Sequence, residues 1–246
     1  MKIQIAVKPA ESTMERRWRR AASGGYRSGA REAARVSEAI IRDAQPGDLD
    51  ALYAIALATG DSGQDAAHLY RDPKLVGQLY AVPYAVLEPR FAMVAEDASG
   101  VGGYIVGALD TLAFEARLEA EWWPALRRQH ADPGGPPDAW DLDQLRAYQV
   151  HHPRPPPKRI TDPYPSHLHI NLLPRLQGRG LGQAMLSAWL ARIAAAGSRG
   201  MHLGVSPVNH RALRFYRAYG LQAFSFPRPK PDPDAIYFVR SFKLDD

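Results

Sequence analysis

Hydrophobic positions recur along the chain with two different periods, and each period predicts one kind of element. Apolar residues at 168, 170 and 172 alternate with polar residues at 167, 169 and 171, which is the period of a strand with one buried face. Apolar residues spaced three and four apart in other stretches predict helices. Strands are predicted around 40–41 and in 90–97, 102–110, 166–174, 201–206, 221–226 and 235–242, and helices in 49–57, 72–82, 111–130, 137–152, 181–196 and 207–220.

This order of elements predicts an α/β (α+β) fold in which helices pack on a central mixed sheet. The helix that begins near residue 72 is expected to stop before Pro83. Residues 111–163 are predicted to form a helical insertion between the third and fourth strands, because Pro-rich breaks separate and end its two helices. About 50 residues are few for an independent core, so residues 36–246 are taken as one domain.

Charge divides the chain into a basic leader and a nearly neutral body. Residues 1–35 carry nine Lys or Arg and three Asp or Glu, whereas the remainder carries 22 basic and 23 acidic residues. The leader is therefore interpreted as a solvated basic N-terminal extension, and no basic face that would bind nucleic acid is predicted. The sequence contains no cysteine, membrane-length apolar run or secretory signal pattern, so a cytoplasmic protein without disulfides or thiolate catalysis is expected.

A cluster of glycines stands between a predicted strand and a predicted helix, where backbone amides approach anions. Gly178, Gly180 and Gly182 lack the Lys-Ser or Lys-Thr that would follow the last glycine of a P-loop. The sixth position of a dinucleotide fingerprint counted from Gly178 is Gln183, so that interpretation is weak as well. The remaining pattern is Gln-x-x-Gly-x-Gly from Gln177, which suits a pyrophosphate at a helix N-terminus, with Arg179 as a cationic contact.

The segment "LLPRLQGRGLG", followed about thirty residues later by "NHRALRFYRAYGL", resembles the GNAT superfamily of N-acetyltransferases. The resemblance implies the GNAT fold, with a mostly antiparallel sheet, and acetyl-CoA as cofactor. It also implies a cofactor site in which the strand end pairs with the pantetheine arm, the glycine loop holds the pyrophosphate, and the later helix supplies an amide and a phenol. The implied cofactor-binding residues are Leu172, Leu173, Gln177, Gly178, Arg179, Gly180, Leu181, Gly182, Asn209 and Tyr216.

The seven-residue spacing of Asn209 and Tyr216 places both on one face of their helix, two turns apart. A thiolate leaves when acetyl is transferred from coenzyme A, and a phenol can protonate it. Tyr216 is therefore the candidate general acid.

Further segments, including "DPKLVGQLYAVPY" and "YPSHLHINLLPRLQGRGLG", resemble bacterial acetyltransferases related to the acetyltransferase-like C-terminal domain of O-GlcNAcase. The chain departs from the expected pattern at Asn171, where an acidic residue is expected and an amide cannot act as a base. His169, Asp110 and His167 are the alternative candidates for the base, and Asn171 is kept as an acceptor-site candidate. Tyr84 and Tyr164 are candidates to line the acceptor pocket.

The leading hypothesis is an acetyl-CoA-dependent N-acetyltransferase that transfers acetyl directly to a primary amine in a ternary complex. The acceptor, whether a small molecule or a lysine of a peptide or protein, stays open, as does a homodimer. The alternative is a non-catalytic acetyl-CoA- or acyl-CoA-binding module, which the amide at Asn171 keeps in view. No metal site is predicted, because the adjacent His151 and His152 lack a spacing that directs both rings to one ion.

Overall fold

A computed structural model describes residues 35–36, 39–226 and 235–242, so most of the predicted basic extension and residues 227–234 lie outside the described residues. The strands are β1 (Arg35–Val36), β2 (Ala39–Asp43), β3 (Met93–Asp97), β4 (Gly100–Ala108), β5 (Ser166–Leu172), β6 (Gly200–Val205), β7 (Gln222–Phe224) and β8 (Ile236–Ser241). The α-helices are α1 (Leu49–Ala58), α2 (Leu75–Tyr80), α3 (Val82–Leu87), α4 (Thr111–Arg117), α5 (Trp123–Gln129), α6 (Leu142–His151), α7 (Lys158–Thr161), α8 (Leu181–Ala195) and α9 (His210–Tyr219). None of these helices has the length and apolar character that crossing a bilayer requires.

The strands of the described residues form one sheet in the order β1-β2-β3-β4-β5-β6-β8-β7. All neighbours are antiparallel except β5 and β6, which run parallel because α8 crosses from the end of one to the start of the other. The predicted mixed, mostly antiparallel sheet is confirmed.

Both faces of the sheet are covered, because alternate residues of its central strand enter different cores. Tyr104 and Val106 of β4 pack with helices α1 to α3 and with the helices between β4 and β5. Ile105 packs on the opposite face with α8 and α9, together with Leu168 of β5. The period-two pattern of the strands thus builds two hydrophobic layers around one sheet.

The insertion between β4 and β5 is helical, as the periodicity predicts, and it is attached to the rest of the fold. One π-helical turn, Leu118–Trp122, joins α4 to α5, and the side chain of Trp122 is buried. Asp143 of α6 accepts hydrogen bonds from the backbone amides of Arg71 and Asp72, at 3.0 and 3.1 Å. These contacts hold α6 beside the segment that leads into α2.

One helix in the first half was not predicted from the sequence. Helix α2 ends at Tyr80, before Pro83 as expected, but α3 then begins at Val82 and continues to Leu87. Pro83 occupies the first turn of α3, where its missing N–H would have no helical partner in any case. The proline therefore starts a helix as well as ending one.

The centre of the sheet depends on a glycine that allows close packing of a tryptophan. A Cβ at Gly107 would lie 2.3 Å from the carbonyl oxygen of His167 and 2.4 Å from the ring of Trp189. We expect Gly107→Ala to lower the free energy of unfolding by roughly 1–3 kcal/mol, because neither neighbour is free to move away. Urea unfolding measures the effect, with Gly134→Ala as control, since nothing lies within 4 Å of a Cβ there. Equal stability of the two variants would contradict this packing.

Candidate active site

The candidate site lies where the two parallel strands separate. β5 and β6 are paired only through Ser166 with Met201 and His167 with His202. Beyond these residues β5 stays paired with β4 up to Leu172, and β6 stays paired with β8. The strands therefore diverge, and the edges that face each other have no strand partner among the described residues.

A cavity of about 380 Å³ opens into this gap. Its wall comes from the end of β5, the glycine loop, the start of α8, one face of α9 and the loop after α1. The residues that line it are Thr59, Gly63, Ile170, Asn171, Leu172, Gln177, Gly178, Gly180, Gly182, Gln183, Asn209, Arg211, Ala212, Phe215 and Tyr216. The two sequence segments singled out for their motifs thus meet around one cavity.

The glycine loop presents backbone donors at the start of a long helix. Gly178 and Gly180 have φ values of 71° and 77°, a left-handed conformation that favours glycine. Helix α8 begins at Leu181, and the backbone N–H groups of its first turn have no acceptor within the helix. Among the described residues, no acceptor is bonded to the backbone amides of Gly178, Gly180, Leu181, Gly182 or Gln183. Such a concave row of donors at the positive end of a helix fits a diphosphate.

The side chain of Gln177 connects two walls of the cavity. Its Nε2 donates to the carbonyl oxygen of Leu172 at 2.6 Å, and its Oε1 accepts a hydrogen bond from Arg211. This bridge holds the end of β5, the glycine loop and α9 together. It also keeps the guanidinium of Arg211, which lines the cavity, beside the predicted anion site.

Helix α9 brings Asn209 and Tyr216 to the same cavity, as their spacing suggests. Asn209 caps the helix, since its Oδ1 accepts from the amide of Ala212 at 3.0 Å. Tyr216 is only 7% exposed, and burial raises its pKa far above the ordinary value. No described residue is hydrogen-bonded to its hydroxyl, which is left to a ligand in the cavity. Gly220 ends the helix with a φ of 90°.

Asn171 is held by a threonine from the other half of the fold. The hydroxyl of Thr59 donates to the carbonyl of Ile55 at 2.7 Å, so its oxygen is an acceptor toward the Nδ2 of Asn171. This arrangement suits an amide, which brings the donor that Thr59 needs. It leaves the Oδ1 of Asn171 as the acceptor at the cavity wall.

Two histidines of β5 share one tyrosine hydroxyl. The Nε2 of His167 lies 2.9 Å from the hydroxyl of Tyr84, and the Nε2 of His169 lies 3.1 Å from it. Burial lowers the pKa of His169 to about 4. Burial, with His202 and His169 nearby, also holds the pKa of His167 well below its ordinary value. Both imidazoles are therefore neutral at pH 7.

The other predicted site residues have contacts outside the cavity. Asp110 is exposed and caps α4 by accepting from the amide of Ala113 at 2.9 Å. Leu173 packs against the core of the α1 face, and its amide donates to the carbonyl of Gly102. The side chain of Leu181 is fully buried, and Arg179 donates to the carbonyl of Arg175 at 3.3 Å. None of these four predicted side chains lines the cavity, and neither do those of His167 and His169.

Several cavity residues were not identified from the sequence. Thr59 and Gly63 lie more than a hundred positions before the motifs, in a loop whose sequence has no recognisable binding pattern. A Cβ at Gly63 would lie 3.6 Å from Nδ2 of Asn209, and Thr59 is bonded to Asn171, so this loop touches both β5 and the start of α9. Arg211 and Phe215 stand on the motif helix itself, and their four-residue spacing places them together, next to the stripe that carries Asn209 and Tyr216.

The half-buried carboxyl of Glu115, which acts on Tyr84 electrostatically, should make the stability of the fold depend on pH. Burial raises the pKa of Glu115 to about 7, so between pH 4.5 and 7 the folded chain binds more protons than the unfolded chain. Its ionisation therefore lowers stability as the pH rises. We expect Glu115→Gln to stabilise the fold by on the order of 1–2 kcal/mol at pH 8, and by less at pH 5.5. Urea unfolding at both values measures the difference.

Glu119 provides the control for this measurement. A hydrogen bond from Arg127 lowers the pKa of Glu119, so Glu119→Gln should give no stabilisation at either pH. A Glu115→Gln variant that gains no more stability at pH 8 than at pH 5.5 would refute the raised pKa.

Comparison with known proteins agrees with this geometry. A model of the acetyltransferase (GNAT) family matches residues 115–221. The solved structure titled as that of SsHAT is 32% identical, covers 83% of this chain and 98% of that chain, and has a TM-score of 0.74. PH1933 from Pyrococcus horikoshii OT3 is 12% identical over 84% of this chain and 100% of that chain, with a TM-score of 0.53, and shows the fold alone.

Curated relatives also match. Protein O-GlcNAcase of Rattus norvegicus is 23% identical over 180 residues, which is 73% of this chain and 20% of that protein. The chain therefore spans about a fifth of the length of this relative. Because the 32% identity to SsHAT extends over nearly all of that chain and the family match covers the glycine loop and α9, the chain belongs to the acetyltransferase (GNAT) family.

Proposed function

We propose that this chain is an N-acetyltransferase that uses acetyl-CoA and transfers the acetyl group directly to a primary amine in a ternary complex. The observation that carries the proposal is the cavity between the diverging strands, which joins a row of free amides to the buried hydroxyl of Tyr216. Acetyl-CoA, the acyl donor of this family, supplies a thioester whose carbon–sulfur bond breaks as the amine nitrogen bonds to the acetyl carbon.

Different parts of the cavity suit different parts of this cofactor. The amides of the glycine loop and the guanidinium of Arg211 suit the diphosphate. The unpaired edge of β5 at Ile170 suits the amide groups of the pantetheine arm, because strand edges bind extended chains. Asn209 and Tyr216 follow along α9 and reach toward the thioester end.

Two proton transfers have to accompany the reaction. Tyr216 gives its proton to the departing sulfur, and its raised pKa keeps it protonated through the alkaline range. The amine proton passes to the neutral imidazole of His169, directly or through water, and returns to Tyr216 through solvent. His169 is favoured because Asp110 serves as a helix cap, the amide of Asn171 is held by Thr59, and both ring nitrogens of His167 are already hydrogen-bonded.

The residues present support transfer without a covalent acetyl-enzyme. The chain has no cysteine, and none of the described residues that line the cavity is a serine. Direct attack requires the two reactants to be held together, and placement of this kind contributes strongly to catalysis. The acceptor is a primary amine of a small molecule, a peptide or a protein.

The second candidate function is a binding module that holds acetyl-CoA or another acyl-CoA without transfer. The observation in its favour is that the described residues that line the cavity include no Asp or Glu that could act as a carboxylate base. Thiol release with a panel of primary amines separates the two functions. Release above the rate without amine supports the transferase, whereas cofactor binding without release for any amine supports the binding module.

A further inference from the structure

We propose that Tyr84 is a positioning residue that fixes which ring nitrogen of His169 carries the proton. The proposal rests on the proposed function of His169 as proton acceptor, and it adds the residues that prepare it for that role. It is carried by an unbroken chain of side-chain hydrogen bonds that joins His169, Tyr84, His167 and Thr111.

The direction of this chain is set at its far end. The hydroxyl of Thr111 lies 2.6 Å from the carbonyl oxygen of Pro165, and a carbonyl oxygen can only accept. The single proton of that hydroxyl is therefore committed to Pro165. Toward the Nδ1 of His167, 2.8 Å away, the threonine oxygen has only lone pairs to offer, so Nδ1 must carry the proton of the ring.

The same reasoning continues through the tyrosine. A neutral His167 with its proton on Nδ1 has a lone pair on Nε2, which accepts the hydroxyl proton of Tyr84 across 2.9 Å. The tyrosine oxygen is then an acceptor toward His169, 3.1 Å away. His169 consequently carries its proton on Nε2, and its Nδ1 keeps the lone pair that a base requires.

The series of hydrogen bonds orients His169 and does not conduct its proton away. A relay needs a terminal group that passes a proton on, whereas this chain ends on the carbonyl of Pro165. The rings are also fixed in place: Tyr84 stacks on Phe114 with centroids 4.4 Å apart, and the ring of Tyr80 contacts His169 at 5.6 Å. Tyr80 is itself held by a hydrogen bond to Gln149 of α6, so the insertion supports the arrangement.

The charged and titratable groups around these hydrogen bonds come from four elements. His202 of β6 stacks on His167 with centroids 5.7 Å apart, and its Nδ1 donates to the carbonyl of Tyr164. Glu115 of α4, Tyr80 of α2 and Tyr104 of β4 act on Tyr84 electrostatically. None of them is hydrogen-bonded to His169 among the described residues, so Tyr84 alone sets its tautomer.

The test is nuclear magnetic resonance of the full chain labelled with ¹⁵N-histidine, with no ligand added. We expect opposite tautomers: the proton of His167 on Nδ1, and a slowly exchanging proton of His169 on Nε2. Tyr84→Phe should abolish the protected Nε2 proton of His169, because its acceptor is gone. Tyr80→Phe is the matched control and should leave the signal, since the Tyr80 hydroxyl bonds Gln149 and not His169.

Two results would overturn the proposal: a proton on Nδ1 of His169 in the wild-type chain, or a protected Nε2 proton that survives in Tyr84→Phe. The wild-type spectrum decides the first point even if a variant does not fold. A kinetic measurement adds a readout that a purely structural role would not move. With a reactive amine, Tyr84→Phe should lower kcat about tenfold or more while the Kd of acetyl-CoA stays unchanged.

These outcomes are independent of the proposed function. Absence of transfer to any amine would reject the transferase and leave the tautomer result standing. If the protein transfers acetyl but carries the His169 proton on Nδ1, the proposed transferase function stands and the role of Tyr84 is rejected.

Discussion

Tyr216→Phe is expected to lower kcat for acetyl transfer by about 100-fold or more, because the departing sulfur loses its proton donor. The Kd of acetyl-CoA should change little, since the ring remains and only the hydroxyl is removed. Stopped-flow or steady-state measurement of thiol release gives kcat, and calorimetry gives the Kd. Because burial holds the pKa of Tyr216 high, the wild-type rate should show no loss from its ionisation up to pH 9.

Tyr219 is the matched control on the same helix. Its hydroxyl is bonded to Ser187 at 2.7 Å, outside the cavity lining, so Tyr219→Phe should leave kcat unchanged within about twofold. If Tyr216→Phe and Tyr219→Phe reduce kcat equally, Tyr216 does not act as the acid.

Gly178→Asp is expected to weaken acetyl-CoA binding on the order of 100-fold, because it places a carboxylate beside the site assigned to the diphosphate. Gly178→Asn is the matched variant, with nearly the same shape and no charge. Both residues tolerate the left-handed conformation at φ 71°, and nothing lies within 4 Å of a Cβ at this position. The Asn variant should therefore bind within a few-fold of the wild type.

Calorimetric titration of both Gly178 variants separates charge from shape. A large loss of affinity in the Asp variant alone supports an anion at the loop. Equal affinities of the Asp and Asn variants would place the diphosphate elsewhere.

Local patterns in the sequence were sufficient to predict the parts of the cavity that are close in the chain. The alternation in β5, the glycine turn before α8, and the spacing of Asn209 and Tyr216 on α9 each follow from a few neighbouring residues. The parallel pairing of β5 and β6 follows from a helix that crosses between them. The assignment of site residues to cofactor and catalysis stays a prediction, which the variants above test.

Contacts between distant segments could not be predicted in the same way. The family resemblance implies an acidic residue where this sequence has Asn171. Only the fold brings Thr59, from a loop 112 residues earlier, into contact with the amide of Asn171. Tyr84 was expected near the acceptor pocket, but its contacts with two histidines depend on where Pro83 starts a new helix. Such pairings are set by tertiary packing, which local periodicity does not encode.

The central claim is that the cavity between β5 and β6 binds acetyl-CoA, and thermal unfolding with and without the cofactor tests it most directly. At a hundredfold excess over Kd, binding to the folded chain alone adds about 2.7 kcal/mol of stability. For a chain of this size that predicts a rise in Tm of roughly 5–10 °C. The rise should be reduced in Gly178→Asp and retained in Gly178→Asn. An unchanged Tm of the wild-type chain at millimolar acetyl-CoA would contradict the account.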